Sequence, residues 1–115
     1  MTRSHVGAGL VFAAIAGTGI TLFARETKST HPSATFLEYC VKCHGEDGKA
    51  TTPKGKQLMA RDFTDAEWQS SKSDADLVKT VTKGGEDMPS FGKKLSQEQI
   101  EALVKEDVRG FGKKN

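Results

Sequence analysis

The sequence has few of the residues on which several classes of small protein depend. Its two cysteines are too few for a scaffold held together by disulfides. Its 17 lysines and arginines are nearly balanced by 15 aspartates and glutamates, so it lacks the basic excess that nucleic-acid binding requires. We therefore expect neither a disulfide-rich module nor a nucleic-acid-binding protein.

Apolar residues are also scarce over most of the chain. Residues 1–24 hold 14 of the 41 apolar residues and a single charge, Arg3, whereas residues 25–115 hold the other 27 and almost all the charges. Even with its glycines, the longer stretch falls below the ~45–50% apolar content of ordinary globular domains. A domain this short buries a modest share of its surface. We therefore expect something other than side chains to complete its core.

The N-terminal stretch is typical of an exported protein. Residues 6–24 carry no charge and follow a basic start. As a helix rising ~1.5 Å per residue, they nearly match the ~30 Å of bilayer hydrocarbon. This length favours an uncleaved membrane anchor, whereas the four glycines and several alanines favour a cleaved export signal. Residues 1–24 are thus predicted as signal or anchor, residues 25–32 as a polar linker, and residues 33–115 as an extracytoplasmic (periplasmic) domain.

The domain is predicted to be all-α, with short helices joined by long loops and no alternating strand pattern. The first helix covers about residues 33–43, with Ser33 as its N-cap. Three more helices each begin with a hydroxyl residue followed three positions later by an acid or amide, at Thr64…Glu67, Ser73…Asp76 and Ser96…Gln99. The last helix has one apolar stripe, formed by Ile100, Leu103, Val104, Val108 and Phe111. Residues 45–56 and 83–94 are predicted as loops.

The strongest functional signal is the run CVKCH at residues 40–44. Cysteines at positions i and i+3 share one face of a helix, so Cys40 and Cys43 are spaced to form thioethers with the two vinyl groups of one haem. His44 then follows as the proximal ligand of the iron. The motif predicts one covalently attached haem c.

Two other kinds of site use the same cysteine spacing. A thioredoxin-like redox pair would need a βαβ pattern around it, which the sequence lacks. A structural zinc site needs four ligands, and the remaining histidines are His5, before the apolar segment, and His31, in the linker. Covalent haem attachment is therefore favoured over both, with a chance match as the remaining alternative.

The predicted second axial ligand of the iron is Met88. It lies in a loop whose glycines, Gly84 and Gly85, permit close approach to a haem, and Pro89 restricts the backbone directly after it. Met59 is an alternative ligand, but it is interpreted as a residue that fills core space around the ring. His31 or an open position are the remaining alternatives.

With these features the chain resembles the class I c-type cytochromes, in particular the small single-haem carriers of bacterial and photosynthetic electron transport. The resemblance covers about residues 33–111 and rests on the 40–44 motif, the loop at residues 88–91 and the closing helix from residue 95. Phe36 matches an aromatic that the family carries on its first helix. The resemblance implies the cytochrome c fold, in which the first and last helices cross and the chain wraps one haem.

The resemblance also implies a proline whose carbonyl accepts the N–H of the proximal histidine, and Pro53 is the candidate for that role. The sequence departs from the family pattern in two places. The small glycine usual at the helix crossing is replaced around residues 32–33, and residues 105–107 replace an aromatic of the closing helix. These departures leave the geometry of the crossing open.

Two weaker signals each have a structural and a functional interpretation. Trp68 is expected either to pack in the core or to donate its indole N–H to a haem propionate. A set of lysines near the motif and loops forms either an ordinary solvated surface or a positive rim that attracts an acidic partner. These are Lys42, Lys54, Lys56, Lys83, Lys93 and Lys94.

The sequence therefore predicts an electron-transfer protein and not an enzyme. Its iron would cycle between Fe(II) and Fe(III), ligated by His44 and Met88 and exchanging electrons with redox-partner proteins, with a possible membrane contact through residues 6–24. One alternative is a peroxidase-like or gas-binding haem protein with an open axial position. Another is a relay subunit of a larger oxidoreductase.

Overall fold

The computed structural model describes residues 31–113, together with Gly9, Ala13, Ala14, Gly17 and Gly19. The predictions for residues 1–24 and for most of the linker lie outside these residues. Within the described part all regular structure is helical, which confirms the all-α prediction. No helix among those residues is both long and apolar enough to cross a membrane.

The described chain forms a series of short helices that ends in one longer helical run. Its α-helices are α1 (Ala34–Tyr39), α2 (Val41–His44), α3 (Pro53–Gln57), α4 (Ala66–Ser71), α5 (Asp74–Lys83), α6 (Gln97–Ala102) and α7 (Arg109–Gly112). A π-helical turn, Leu103–Val108, joins α6 to α7. We call this continuous run, residues 97–112, the closing helix.

Three of the predicted helix starts are confirmed by their capping bonds. The side chains of Ser33, Ser73 and Ser96 each accept the backbone N–H three residues later. At Ser73 and Ser96 the capping box is complete, since the side chains of Asp76 and Gln99 accept the N–H of the capping residue. These bonds satisfy N–H groups that a helix start would otherwise leave without partners.

The predicted start at Thr64 is wrong by one residue. The Thr64 hydroxyl donates to the Asp62 carboxylate at 2.6 Å, which draws it away from the helix. The carboxylate of Asp65 instead caps α4 and accepts the N–H groups of Glu67 and Trp68. A charged oxygen is the stronger acceptor for these N–H groups, so the acid rather than the hydroxyl begins the helix.

Two further boundaries differ from those predicted. The first helix is divided at Cys40, so that the two cysteines lie at the junction and within α2. The segment predicted as a loop at residues 45–56 contains the start of α3, with Thr52 as N-cap and Pro53 in the first turn. Proline suits that position because the N–H it lacks would have no helical partner there.

The core lies between the first and last helices, where the predicted stripe of the closing helix is buried in full. Phe36 and Phe111 meet with ring centroids 5.2 Å apart, and Phe63 packs on both. The buried apolar cluster consists of Phe36, Phe63, Leu77, Phe91, Leu95, Ile100, Leu103, Val104, Val108 and Phe111. The aromatic match at Phe36 thus corresponds to a central core residue.

The helix crossing is built around a buried carboxylate rather than a small glycine of α1. Asp107 is 1% exposed and accepts the Ser33 N–H at 2.8 Å and the Ser33 hydroxyl at 2.6 Å. The glycine that permits close packing lies on the closing helix instead. A Cβ on Gly110 would lie 2.8 Å from the ring of His31. Ser33 and Asp107, which stand at the two departures from the family pattern, thus bond to each other. The first and last helices therefore still pack together.

Candidate cofactor site

A cavity of about 500 Å³ lies between the attachment motif and the loop after α5. All four predicted site residues line it: Cys40, Cys43, His44 and Met88. The other lining residues used below are Met59, Arg61, Glu86, Asp87 and Phe91. The structure therefore brings together residues that lie up to 48 positions apart in the chain.

The two cysteines are free thiols, with Cys40 as the N-cap of α2 and Cys43 inside this helix. The Cys40 carbonyl accepts the N–H of Cys43 at 3.2 Å and that of His44 at 2.9 Å, which fixes the motif as a helical turn. Burial raises the pKa of the Cys40 thiol to about 12, with the charges of Asp107 and Cys43 adding to the effect. The thiol therefore stays protonated at neutral pH and is not poised as a thiolate nucleophile.

The ring of His44 is held from two directions. It is 9% exposed and stacks on Phe63 with ring centroids 4.3 Å apart and an interplanar angle of 18°. Its Nδ1 lies 3.1 Å from the carbonyl oxygen of Arg61. A carbonyl can only accept, so Nδ1 carries the hydrogen and Nε2 presents its lone pair. Burial lowers the pKa of His44, although the bond to Arg61 opposes this, and the lowered pKa favours the neutral ring that can ligate a metal.

The expectation that Pro53 supplies the carbonyl for His44 is wrong. Pro53 lies in the first turn of α3, where carbonyls are directed along the helix toward later N–H groups. The carbonyl that accepts the His44 N–H belongs to Arg61, which follows α3 in the chain. Nothing in the residue types or spacing around Arg61 indicates this role, because a main-chain carbonyl is available at every position.

Helix α3 packs closely on the attachment motif because of Gly55. A Cβ at this position would lie 2.0 Å from the carbonyl oxygen of Cys43, so only glycine permits the approach. The Thr52 hydroxyl bridges the same two segments by donating to the carbonyls of Lys42 and Cys43, at 2.8 and 3.1 Å. The N–H of Phe63 then bonds to the Gly48 carbonyl at 2.8 Å, which brings the returning chain over His44.

Met88 is half-buried in a turn that begins at Gly84. Gly84 has φ of +80°, and a Cβ there would lie 2.6 Å from the Met88 carbonyl oxygen. The N–H of Gly85 donates to that same carbonyl at 3.0 Å, which closes the turn. Both the conformation and the close approach require glycine at position 84.

Phe91 anchors the far end of this loop. Its ring is 8% exposed and meets Tyr39 edge to face at 6.2 Å, while its N–H donates to the Val81 carbonyl at 3.0 Å. These contacts tie the loop to α1 and to α5. Phe91 therefore closes one wall of the cavity next to Met88.

The alternative axial ligands occupy different positions. Met59 lines the cavity, as expected of a residue that packs around the ring, and is 81% exposed. Its φ of +50° turns the chain at the edge of the cavity rather than into the core. His31 packs against Phe111 with ring centroids 4.3 Å apart and is not among the residues that line the cavity.

The structure places Trp68 in the core, and the charged residues at the cavity are not the six lysines named from the sequence. Trp68 packs on Phe63 with ring centroids 5.5 Å apart, in agreement with the core interpretation. None of the six lysines lines the cavity; among the described residues, its charged lining consists of Arg61, Glu86 and Asp87. No role was predicted from the sequence for this arginine or for these two acids.

The donor set and the cavity fit a covalently bound haem. Two thiols three residues apart, an imidazole with a free Nε2 and a thioether sulfur line one space whose size is typical of cofactor sites. The apolar lining would exclude water from the ring. These are the residues that a c-type attachment site requires.

Comparison with known proteins places the chain among cytochromes. The family model described as "Cytochrome C oxidase, cbb3-type, subunit III" matches residues 28–105. The Cbb3-type cytochrome c oxidase subunit FixP of Azorhizobium caulinodans is 37% identical over 70 residues, which are 60% of this chain and 22% of that protein. The subunit CcoP of Rhodobacter capsulatus is 35% identical over 89 residues, 70% of this chain and 29% of that protein. The chain thus spans about a quarter of the length of these curated relatives.

Solved structures agree with this assignment over nearly their whole length. The KustC0563 c-type cytochrome is 42% identical, has a TM-score of 0.64, and is covered over 94% of its chain and 69% of this one. A variant of the same cytochrome is 44% identical, with a TM-score of 0.62 and 93% of its chain covered. The chain therefore belongs to the family of the cbb3-type cytochrome c oxidase subunit III and is a class I c-type cytochrome, an electron-transport protein that carries haem c.

Proposed function

We propose that this protein is a one-electron carrier with a single haem, attached through Cys40 and Cys43 and ligated by His44 and Met88. The observation that carries the proposal is the meeting of a buried, oriented imidazole and a half-buried thioether at one cavity. When bound, haem c supplies an Fe(II)/Fe(III) couple that accepts or donates one electron. One attachment motif accounts for one haem.

Each site residue has a separate task. Cys40 and Cys43 would each add a thiol across a vinyl group of haem c, which would keep the cofactor attached in both oxidation states. His44 ligates through Nε2, in the orientation set by Arg61 and Phe63. Met88 supplies a soft sulfur ligand, and Phe91 excludes water beside it.

Two protein ligands would distinguish this carrier from a haem enzyme. If His44 and Met88 both held the iron, no position would remain for a substrate, and we infer that the domain would have no chemistry of its own beyond electron transfer. Methionine ligation and burial both raise the reduction potential. The domain therefore belongs toward the oxidising end of an electron-transport chain.

The domain arrangement follows from the sequence. Residues 1–24 form an export signal or membrane anchor, residues 25–32 a linker, and residues 33–115 the cytochrome domain in the periplasm. Its redox partners are other proteins, reached at the membrane surface if the anchor is retained. The intact mass of the purified protein tests both points, because it reports the added haem and the presence or absence of residues 1–24.

A second candidate function is electron relay within a larger oxidoreductase. It is favoured by the similarity to the FixP and CcoP oxidase subunits, of which this chain spans about a quarter. Gentle purification from membranes separates the two candidates. Co-purification with fixed partner subunits would support the relay, whereas a monomeric haem protein would support the free carrier.

The ligand set is tested by the absorption spectrum of the oxidised protein. The weak long-wavelength band of sulfur–iron(III) ligation should be present in the wild type and absent in Met88→Ala. Met59→Ala is the matched control, because Met59 lines the same cavity but is 81% exposed; this variant should keep the band. A high-spin wild-type spectrum with ready carbon monoxide binding would contradict the carrier and support a haem enzyme or sensor.

A further inference from the structure

Asp107 is a buried acid that the fold leaves without a cationic partner. Its side chain is 1% exposed, and no described residue forms an ion pair with it. The nearby ring of His31 bonds to the main-chain carbonyl of Asp107, at 3.2 Å, rather than to the carboxylate. A buried charge without a counter-ion is costly to a fold, so an acid at this position calls for an explanation.

The hydrogen bonds of Asp107 show that its side chain is an ionised carboxylate. One carboxylate oxygen accepts the Ser33 N–H at 2.8 Å, and the other accepts the Ser33 hydroxyl at 2.6 Å, a length typical of an O–H group bonded to a charged oxygen. The Ser33 hydroxyl oxygen itself accepts the N–H of Phe36, so its single hydrogen is directed at Asp107. Because both oxygens act as acceptors, the group carries a full negative charge inside the protein.

This charge lies within electrostatic reach of the haem-attachment motif. Val104 and Val108, which flank Asp107 on the closing helix, belong to the buried cluster against which Cys40 packs. Burial, and after it the negative charge of Asp107, raise the pKa of the Cys40 thiol. Cys40 in turn lines the cavity. The carboxylate therefore acts from the core on the side of the cavity where the cofactor is attached.

A negative charge at this place affects the two oxidation states of iron unequally. Fe(III) has one more positive charge than Fe(II), so a nearby carboxylate stabilises Fe(III) and lowers the reduction potential. Salt screens such an interaction weakly when the charge is buried. Methionine ligation and burial of the cofactor act in the opposite direction and raise the potential.

We propose that the Asp107 carboxylate lowers the reduction potential of haem attached at Cys40 and Cys43. The residue acts through its charge and not through contact, since it is not among the residues that line the cavity. The inference rests on the proposed function, because it requires the attached haem. Asp107 then has two tasks, one in joining the crossing helices through Ser33 and one in setting the potential of the carrier.

The decisive variant is Asp107→Asn, which keeps the size of the side chain and one acceptor oxygen but removes the charge. We expect it to raise the Fe(II)/Fe(III) ratio at a fixed applied potential by about three- to tenfold, where tenfold corresponds to 59 mV for a one-electron couple. The effect should persist in about 1 M salt, because the charge that is removed is buried. Redox titration of the full-length holo-protein measures the ratio.

Two controls separate the charge of Asp107 from its structural role. Ser33→Ala removes the hydroxyl partner but leaves the carboxylate, so it should lower the melting temperature and keep the wild-type ratio. Glu98→Gln removes an equal charge from an exposed position on the same closing helix. Its ratio in high salt should match that of the wild type, because exposed charges at a distance are screened.

The outcomes distinguish this proposal from the proposed function. A wild type without haem mass or without the sulfur–iron band contradicts the function itself. A wild type with both, together with an Asp107→Asn variant that keeps the band and the wild-type ratio, overturns the role of Asp107. An equal rise in Ser33→Ala also overturns it, because the carboxylate is still present in that variant.

A second variant decides the matter if Asp107→Asn yields no holo-protein or loses the sulfur–iron band. Ser33→Ala/Asp107→Leu replaces both side-chain partners by apolar groups, which costs less stability than leaving one of them unpaired. A ratio about three- to tenfold above that of Ser33→Ala supports the proposal, where tenfold is again 59 mV. A ratio equal to that of Ser33→Ala overturns it.

Discussion

The two sides of the cavity differ in how firmly the protein itself holds the predicted iron ligands. His44 is nearly buried, stacked on Phe63 and hydrogen-bonded to Arg61. Met88 is half-buried, follows the exposed residues Glu86 and Asp87, and is positioned by a glycine turn. The protein thus builds the His44 side by packing, whereas the position of Met88 depends on one turn and, under the proposed function, on the bond that its sulfur would make to the iron.

The largest expected effect comes from removing the ring beneath His44. Phe63→Ala deletes contacts with His44, Phe36 and Phe111 at once, and should destabilise the protein by about 3–5 kcal/mol. Guanidinium chloride unfolding of the holo-protein measures the loss.

Phe91→Ala is the counterpart on the Met88 side. It should cost less stability but increase carbon monoxide binding, and a larger stability loss for Phe91→Ala would break the comparison.

The next effect concerns the carboxylate at the helix crossing. Asp107→Ala leaves the N–H and hydroxyl of Ser33 without their buried acceptor and should cost about 1–3 kcal/mol. Asp107→Asn keeps one acceptor oxygen and should cost less. Thermal unfolding measures both variants. Losses close to zero for both variants would show that the hydrogen bonds at this position contribute little.

A smaller and more local effect is expected at the turn before Met88. Gly84→Ala forces a residue with a Cβ into φ of +80°, at a cost of about 1–3 kcal/mol, and pushes against the Met88 carbonyl. The sulfur–iron band should weaken in this variant. Gly85→Ala is the control, because its Cβ would meet only the Met88 Cβ at an ordinary 3.8 Å. Identical spectra for the two variants would contradict a strained turn as the holder of Met88.

The smallest effect is expected at the start of α5, the helix that leads into this turn. The bonds from Ser73 lower the pKa of Asp76 below its usual value of 3.8. A lowered carboxyl pKa stabilises the fold above that usual value, and the stabilisation is lost as the pH falls through the folded-state pKa. Asp76→Ala should therefore melt slightly below the wild type at pH 7. A melting difference that persists well below pH 3.8 would contradict the role of the charge.

Local sequence patterns predicted much of the fold and identified the candidate site residues. The serine caps, the apolar stripe of the closing helix and the 40–44 motif each depend on spacing within one or two helical turns, and spacing can be read directly. The start at Thr64 failed because two acids beside it compete for the same bonds. Asp107 is buried on the same face of the closing helix as Ile100, seven residues earlier. Helical periodicity is consistent with this burial, but nothing in the sequence indicates that Ser33 is its partner.

By itself, the sequence determined the helical class, the position of the attachment motif and the family to which the chain is similar. Only the tertiary structure decided that the Arg61 carbonyl rather than Pro53 orients His44, that Asp107 joins the crossing helices through Ser33, and that Met59 is exposed. Helix periodicity and motif spacing arise within a short segment. The partner of a buried polar group depends on which distant segments meet, and no local pattern contains that information.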